Sequence, residues 1–202
     1  MSQQRNIFDK NIESVLIIDS IFKYMGSHNV EAFDITELLR AEFVLIVSAL
    51  DYYIHEIVRK GLMDQIDESE RCNAKKLYIP FPTVKTILRV DSEEERARIL
   101  SEQIKEITSK YSYQAPHAIE KALGMIDIKK IWTLLSNILN KPGEDIRGTL
   151  SMIVNRRNKI AHEADIDFMT GEKNNITSTT ITECLHFVKE FVYAVDQITT
   201  MP

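Results

Sequence analysis

At 202 residues, 44% of them hydrophobic and 27% charged, the chain has the make-up of one ordinary globular domain, 1–202, and not of a disordered segment. A net charge of −5 excludes a broadly basic coat for nucleic acid, and six glycines with five prolines are too few for a turn-rich β-sandwich. Two cysteines, Cys72 and Cys184, supply neither a disulfide framework nor a four-ligand metal site, so a reducing compartment is expected.

Almost every segment has helical periodicity. IFDKNIESVLIIDSIFKYM, residues 7–25, predicts an amphipathic helix that Gly26 and Ser27 can end. Asp34, with Glu37 three residues on, predicts a capping box opening a second helix. That helix carries Leu39, Phe43, Val44, Leu45, Ile46, Val47, Leu50, Tyr53, Ile54 and Ile57. Apolar residues nearly all round predict a central pillar buried between several neighbours. A short helix is expected after Pro82. Ser92 and Glu95 then make another capping box before a charged, weakly amphipathic helix suited to the outside. Two short helices fall within 115–140, and Pro142 and Gly143 punctuate the chain before a helix from Glu144 to Ala164. The polar run TGEKNNITST breaks the pattern, and TTITECLHFVKEFVYAVDQIT predicts a closing helix. With no internal repeat and no strand alternation, the expected fold class is all-α.

Charge is not spread evenly. Between Lys129 and Lys159 seven basic residues face only Glu144 and Asp145, a local sum of +5, which leaves −10 for the rest of the chain. One such concentration is enough to handle a polyanion.

The helix from Glu144 holds the most informative stretch, NRRNKIAHEAD. At about 100° per residue from Ile146, Leu150, Ile153, Val154, Ile160, Ala161 and Ala164 form one stripe no more than about 80° to either side. Arg157 falls inside that stripe at about 20°, with Asn158 at about 120° and His162 at about 160°. A guanidinium cannot be neutralised cheaply, so it must meet a carboxylate, carbonyl oxygens or an anion, or else the stripe opens there. The bland solution is an ion pair with Asp51 on the second helix. Spacing alone is weak evidence for the alternative, because Arg–His pairs of this separation also arise by chance.

RRNKIAH resembles the Arg-Asn-x-x-x-His signature of HEPN domains, and LLRAEFVLIVSALDYYIHEIV resembles the long second helix of the RiboL-PSP-HEPN branch. The resemblance is strong over about 34–60 and 144–165 and is otherwise a helical pattern. It implies a HEPN-like helical bundle with extra peripheral helices, dimerising face to face around the motif. It also implies a metal-independent endoribonuclease without cofactor, of the toxin or phage-defence kind, with RNA as substrate and an antitoxin or regulatory protein as possible partner. Carried over by position, Arg157 and His162 would be the catalytic pair and Asn158 the polar residue beside the arginine. Arg156 and Lys159 would flank a groove for RNA. Cleavage through the 2′-hydroxyl would leave a 2′,3′-cyclic phosphate and a 5′-hydroxyl. Other HEPN proteins are non-catalytic modules that bind a nucleotide, RNA or protein, and this is the alternative reading.

Asp51, His55 and Arg59 lie at i, i+4 and i+8, an ion-pair ladder or a support for the motif, and Arg40 shares a similar face. His162 with Asp165, and His117 with Glu120, have helical metal-ligand spacing but lack a third ligand, so no metal site is expected. Trp132, beside Leu134 and Leu135, fits the core better than a base-stacking surface. The opening MSQQRNIFDKN has no basic start leading to an apolar run, and no stretch of about 18 apolar residues follows. A cytoplasmic location without membrane contact is the expectation.

Overall fold

The computed structural model describes residues 1–28, 34–67 and 77–200; Cys72 lies outside them. Eight helices are found among the described residues: α1 (Gln3–Ser27), α2 (Thr36–Asp67), α3 (Phe81–Ile87), α4 (Glu93–Thr108), α5 (Pro116–Gly124), α6 (Ile131–Leu139), α7 (Gly143–Glu163) and α8 (Ser178–Thr200). The fold is all-α, as its periodicity predicts. None of these helices is long and apolar enough to cross a membrane.

The starts follow local chemistry. Ser2 caps α1 by accepting from the amide of Arg5, and Ser92 caps α4 by accepting from Glu95. Asp34 Oδ1 accepts from the amide and hydroxyl of Thr36, so Asp34 does open α2. Glu37 does not complete the expected box. Its carboxylate instead meets Arg40 one turn on and the distant Lys173, because cations are stronger partners than a backbone amide.

α2 is the pillar. It packs against α1, α4, α5, α7 and α8, and Leu39, Phe43, Ile46, Val47, Leu50, Tyr53, Ile54, Val58 and Leu62 are buried along it. Leu45 is an exception to the all-round burial, lying exposed. Gly61 permits one close approach, since a Cβ there would sit 2.7 Å from Ile126 Cγ2. α4 lies outside as expected, with only Ile104 and Thr108 buried. Trp132 is in the core and donates from Nε1 to Glu120 at 2.9 Å.

Glu42 on α2 is 0% exposed, and neither carboxyl oxygen has a hydrogen-bond partner among the described residues. Burial, and then the nearby Asp19 carboxylate, push its carboxyl up to about 7 from an ordinary 4.5, against the smaller pull of Lys23. The folded state therefore holds this proton more tightly than the unfolded chain. The resulting stability is full below about pH 4.5 and is lost as pH rises to about 7. Glu42→Gln should be more stable than wild type by about 2 kcal/mol at pH 8 in urea unfolding, with the difference vanishing near pH 4. A constant difference across that range would mean that Glu42 is ionised throughout.

Candidate functional site

α7 presents the motif. Its first half does what the stripe predicts, burying Ile146, Leu150, Ile153 and Val154 against α2, α5 and α6. Past Val154 the cover thins. Ile160 is half-buried, and Ala161 and Ala164 are exposed, contrary to their expected place in the core. Ile160 still packs against the edge of the core, and beyond it Ala161 and Ala164 carry the apolar stripe into solvent.

Arg157 sits at this transition, half-buried. Its Nη1 donates to Asn158 Oδ1 at 3.1 Å, while its buried Nε has no partner. Among the described residues no carboxylate lies within salt-bridge distance of Arg157. Pairing with Asp51 does not occur, because Asp51 Oδ1 accepts from the amide of Tyr113 at 2.6 Å. Asn158 is half-buried and orients the guanidinium, not the imidazole. His162 is exposed in the last turn and makes no hydrogen bond among the described residues. Five residues of helix turn it about 140° away from Arg157, so the two side chains leave α7 on different sides.

Arg156, expected at the RNA, is instead engaged with protein groups. Its Nη2 donates to Asp165 Oδ2 at 2.8 Å and to the Asn175 carbonyl at 3.1 Å. Arg40 joins it there, donating from Nε to the same Asp165 oxygen at 3.0 Å and from Nη2 to the Asn174 carbonyl at 2.8 Å. Asp165 is 0% exposed, so two arginines converge on one buried carboxylate. This junction ties the end of α7 to the start of α2. Arg40 thus supports the motif helix from its end, and does not join Asp51 as their shared face suggested.

Among the described residues Asp51 and His55 make no hydrogen bond or ion pair with the motif. His55 Nε2 lies 3.9 Å from Asp51 Oδ1, and its ring packs on Tyr113 with centroids 4.4 Å apart. They fasten the segment between α4 and α5. Arg59 completes no ladder with them, binding Glu56 and Ser101.

The basic segment is also thinner in space than in sequence. Lys141 pairs with Glu190, Arg147 with Glu144, and Arg156 with Asp165. Arg157 and Lys159 remain on α7 without an ion pair among the described residues. No group of three or more His, Cys, Asp or Glu side chains there could hold a metal ion.

A feature that helical periodicity does not announce follows α7. Ala164 and Asp165 both adopt left-handed backbone, at φ 52° and 60°, and turn the chain sharply. Ile166 then pairs with Lys173 in an isolated antiparallel bridge, so residues 166–173 form a small hairpin at the start of the polar run. Asn174 donates from its amide and side chain to the Asp165 carbonyl, both at 2.8 Å, and Lys173 meets Glu37. The D at the end of NRRNKIAHEAD and the N of EKNN were the available signals, both being residue types that tolerate left-handed turns and bond nearby backbone.

Comparison with curated proteins found no match. Comparison with solved structures found none either. The RiboL-PSP-HEPN family model matches residues 9–200, spanning the pillar helix, the Arg-Asn-x-x-x-His motif and the closing helix together. The chain belongs to the RiboL-PSP-HEPN family.

Proposed function

We propose that this protein is a metal-independent endoribonuclease, acting as a homodimer in a toxin or phage-defence role. The observation that carries the reading is Arg157. A guanidinium set in an apolar stripe, with neither an acid nor a partner for its buried Nε among the described residues, is available to an anion.

RNA brings its own nucleophile, the 2′-hydroxyl beside the scissile phosphate. Cleavage needs a proton removed from that hydroxyl, a proton given to the departing 5′-oxygen, and charge stabilised on the phosphorane. An exposed imidazole serves either proton step, and a guanidinium can bridge two phosphate oxygens while staying charged. These groups leave α7 on different sides, so one chain does not bring both onto one phosphate. Two copies meeting over the exposed end of the stripe, at Ala161 and Ala164, would place the arginine of one near the histidine of the other and bury that apolar surface. Asn158 then fixes the guanidinium, and Lys159 adds charge at the rim. A toxin of this kind is held in check by an antitoxin or other regulatory protein.

The test is RNA cleavage by purified protein in the presence of a chelator, with the product ends mapped. The expected ends are a 2′,3′-cyclic phosphate and a 5′-hydroxyl. A strict requirement for a divalent ion, or 5′-phosphate ends, would defeat the proposal.

One observation favours a second reading, a non-catalytic module that binds RNA, a nucleotide or a protein. Among the described residues His162 lacks the orienting partner that a general base normally has. In that case the wild type binds without cutting, and Arg157→Ala weakens binding.

A further inference from the structure

α1 carries two seams, one on each side. Phe8, Ile12, Val15, Asp19 and Phe22 recur at alternating steps of four and three residues, the spacing that keeps one helix face in line. This inner seam packs on α2. Phe8, Ile12 and Val15 are buried, and Phe8 meets Tyr53 edge-on with ring centroids 6.0 Å apart. Lys10, Ser14, Ile17, Ile21, Tyr24 and His28 recur at the same steps, about 180° around the helix. All six are exposed, and the apolar three lie together at the middle: Ile17 at 62%, Ile21 at 45% and Tyr24 at 65%. A helix that only had to cover α2 would carry polar residues there.

The outer seam is separate from the motif. Around α2, Tyr53, which meets Phe8, and Arg40, which meets Asp165, point about 140° apart. α1 therefore packs on a different side of the pillar from the end of α7.

We propose that a second copy of this chain docks on the outer seam, α1 against α1, antiparallel about a two-fold axis level with residue 19. The register selects this occupant. It sets Ile17 on Ile21 of the second copy, twice over, and sets the large Tyr24 ring on the small Ser14. Lys10 falls opposite His28 at the two ends of the pair, where both reach water. The flanking positions oppose Glu13 to Ser27 and Asn11 to Met25, so no carboxylate meets a carboxylate. A parallel pair would instead set Tyr24 on Tyr24 and Lys10 on Lys10, large on large and charge on like charge. The area fits as well. Ile17, Ile21 and Tyr24 expose on the order of 400 Å², half of the roughly 800 Å² that each partner gives to a standard interface, with polar residues as the rim. This pairing does not depend on the reading of Arg157. A chain that used both this face and the motif face would assemble beyond a dimer.

The experiment is sedimentation of the full chain as wild type, Ile17→Asp, Ala161→Asp and the double variant. Both positions are exposed, so each variant should stay folded, with melting close to wild type. Ala161→Asp places a charge on the motif face and should still dimerise through α1. Adding Ile17→Asp should weaken that dimer at least about a hundredfold. Cross-linking reads the register, in a Cys72→Ser, Ala161→Asp background. A short bismaleimide should join Ser20→Cys to its own copy, since that position lies beside the axis. It should not join Lys10→Cys, whose two copies would lie about 27 Å apart along the pair. If Ala161→Asp is a monomer at about 0.1 mM, no second copy docks on α1 and the proposal is overturned. A dimer that Ile17→Asp leaves intact, or cross-linking of Lys10→Cys, overturns it too. If Ile17→Asp alone yields monomer while Ala161→Asp changes nothing, the α1 pairing stands and the dimer at the motif is what fails.

Discussion

Asp165→Ala should lower the stability of the folded protein by about 3–5 kcal/mol, the usual consequence of removing one partner from a buried ion pair. Asp165 is fully buried, and its carboxylate is the shared acceptor for Arg40 and Arg156. Arg40 is only 5% exposed, so its charge cannot retreat to water when the carboxylate goes. It keeps Glu37 at 3.3 Å and Thr36 at 2.7 Å, which places the loss toward the lower end of the range. Alanine also strains the backbone, because φ is 60° at this position. Asp165→Asn keeps a residue suited to that conformation and one acceptor, and should lose less. For a chain of this size the alanine variant corresponds to a drop in melting temperature of about 10 °C. Amide exchange across 165–174 should accelerate in the same variant before the rest of the chain is affected. Unchanged melting and exchange would mean that the two arginines find other partners and that the junction holds nothing together.

His162→Ala should reduce RNA cleavage by about 10²–10⁴-fold, the range for losing a positioned acid or base. Its effect on stability should be within about 0.5 kcal/mol, since the side chain is exposed and makes no hydrogen bond among the described residues. Arg157→Ala should remove about 10²–10³-fold by the loss of charge stabilisation on the phosphorane. Arg157→Lys should not restore it, because an ammonium is a point charge and cannot span two phosphate oxygens. Rates measured per folded protein, with the oligomeric state checked by sedimentation, separate these effects from loss of assembly. Cleavage by His162→Ala at the wild-type rate would end the nuclease proposal, as it would assign the activity to another group or another protein.

Much of this was legible in the chain. The helices announce themselves by period and by caps such as Ser92 with Glu95. The pillar is recognisable because its apolar residues leave it almost no polar face. The oddity of Arg157 is visible as soon as the residues of α7 are set around a helix. These are local properties, settled within a few turns of backbone.

What lay beyond the sequence depends on which distant groups meet. Arg156 and Arg157 are chemically identical neighbours, yet one is consumed by a buried carboxylate nine residues on and the other meets no acid among the described residues. Nothing local separates them. They point about 100° apart, and only the packing of α7 on α2 decides which direction holds Asp165. Asp51 and His55 look like partners for the motif by spacing, but they face the segment before α5. Ala161 and Ala164 look like core by period, but no neighbouring helix reaches them. Sequence by itself determined the family, the all-α architecture and the motif, because helical periodicity and short-range capping are encoded residue by residue. Tertiary structure alone decided which charges are neutralised and which apolar faces stay uncovered, because each depends on contacts between segments far apart in the chain.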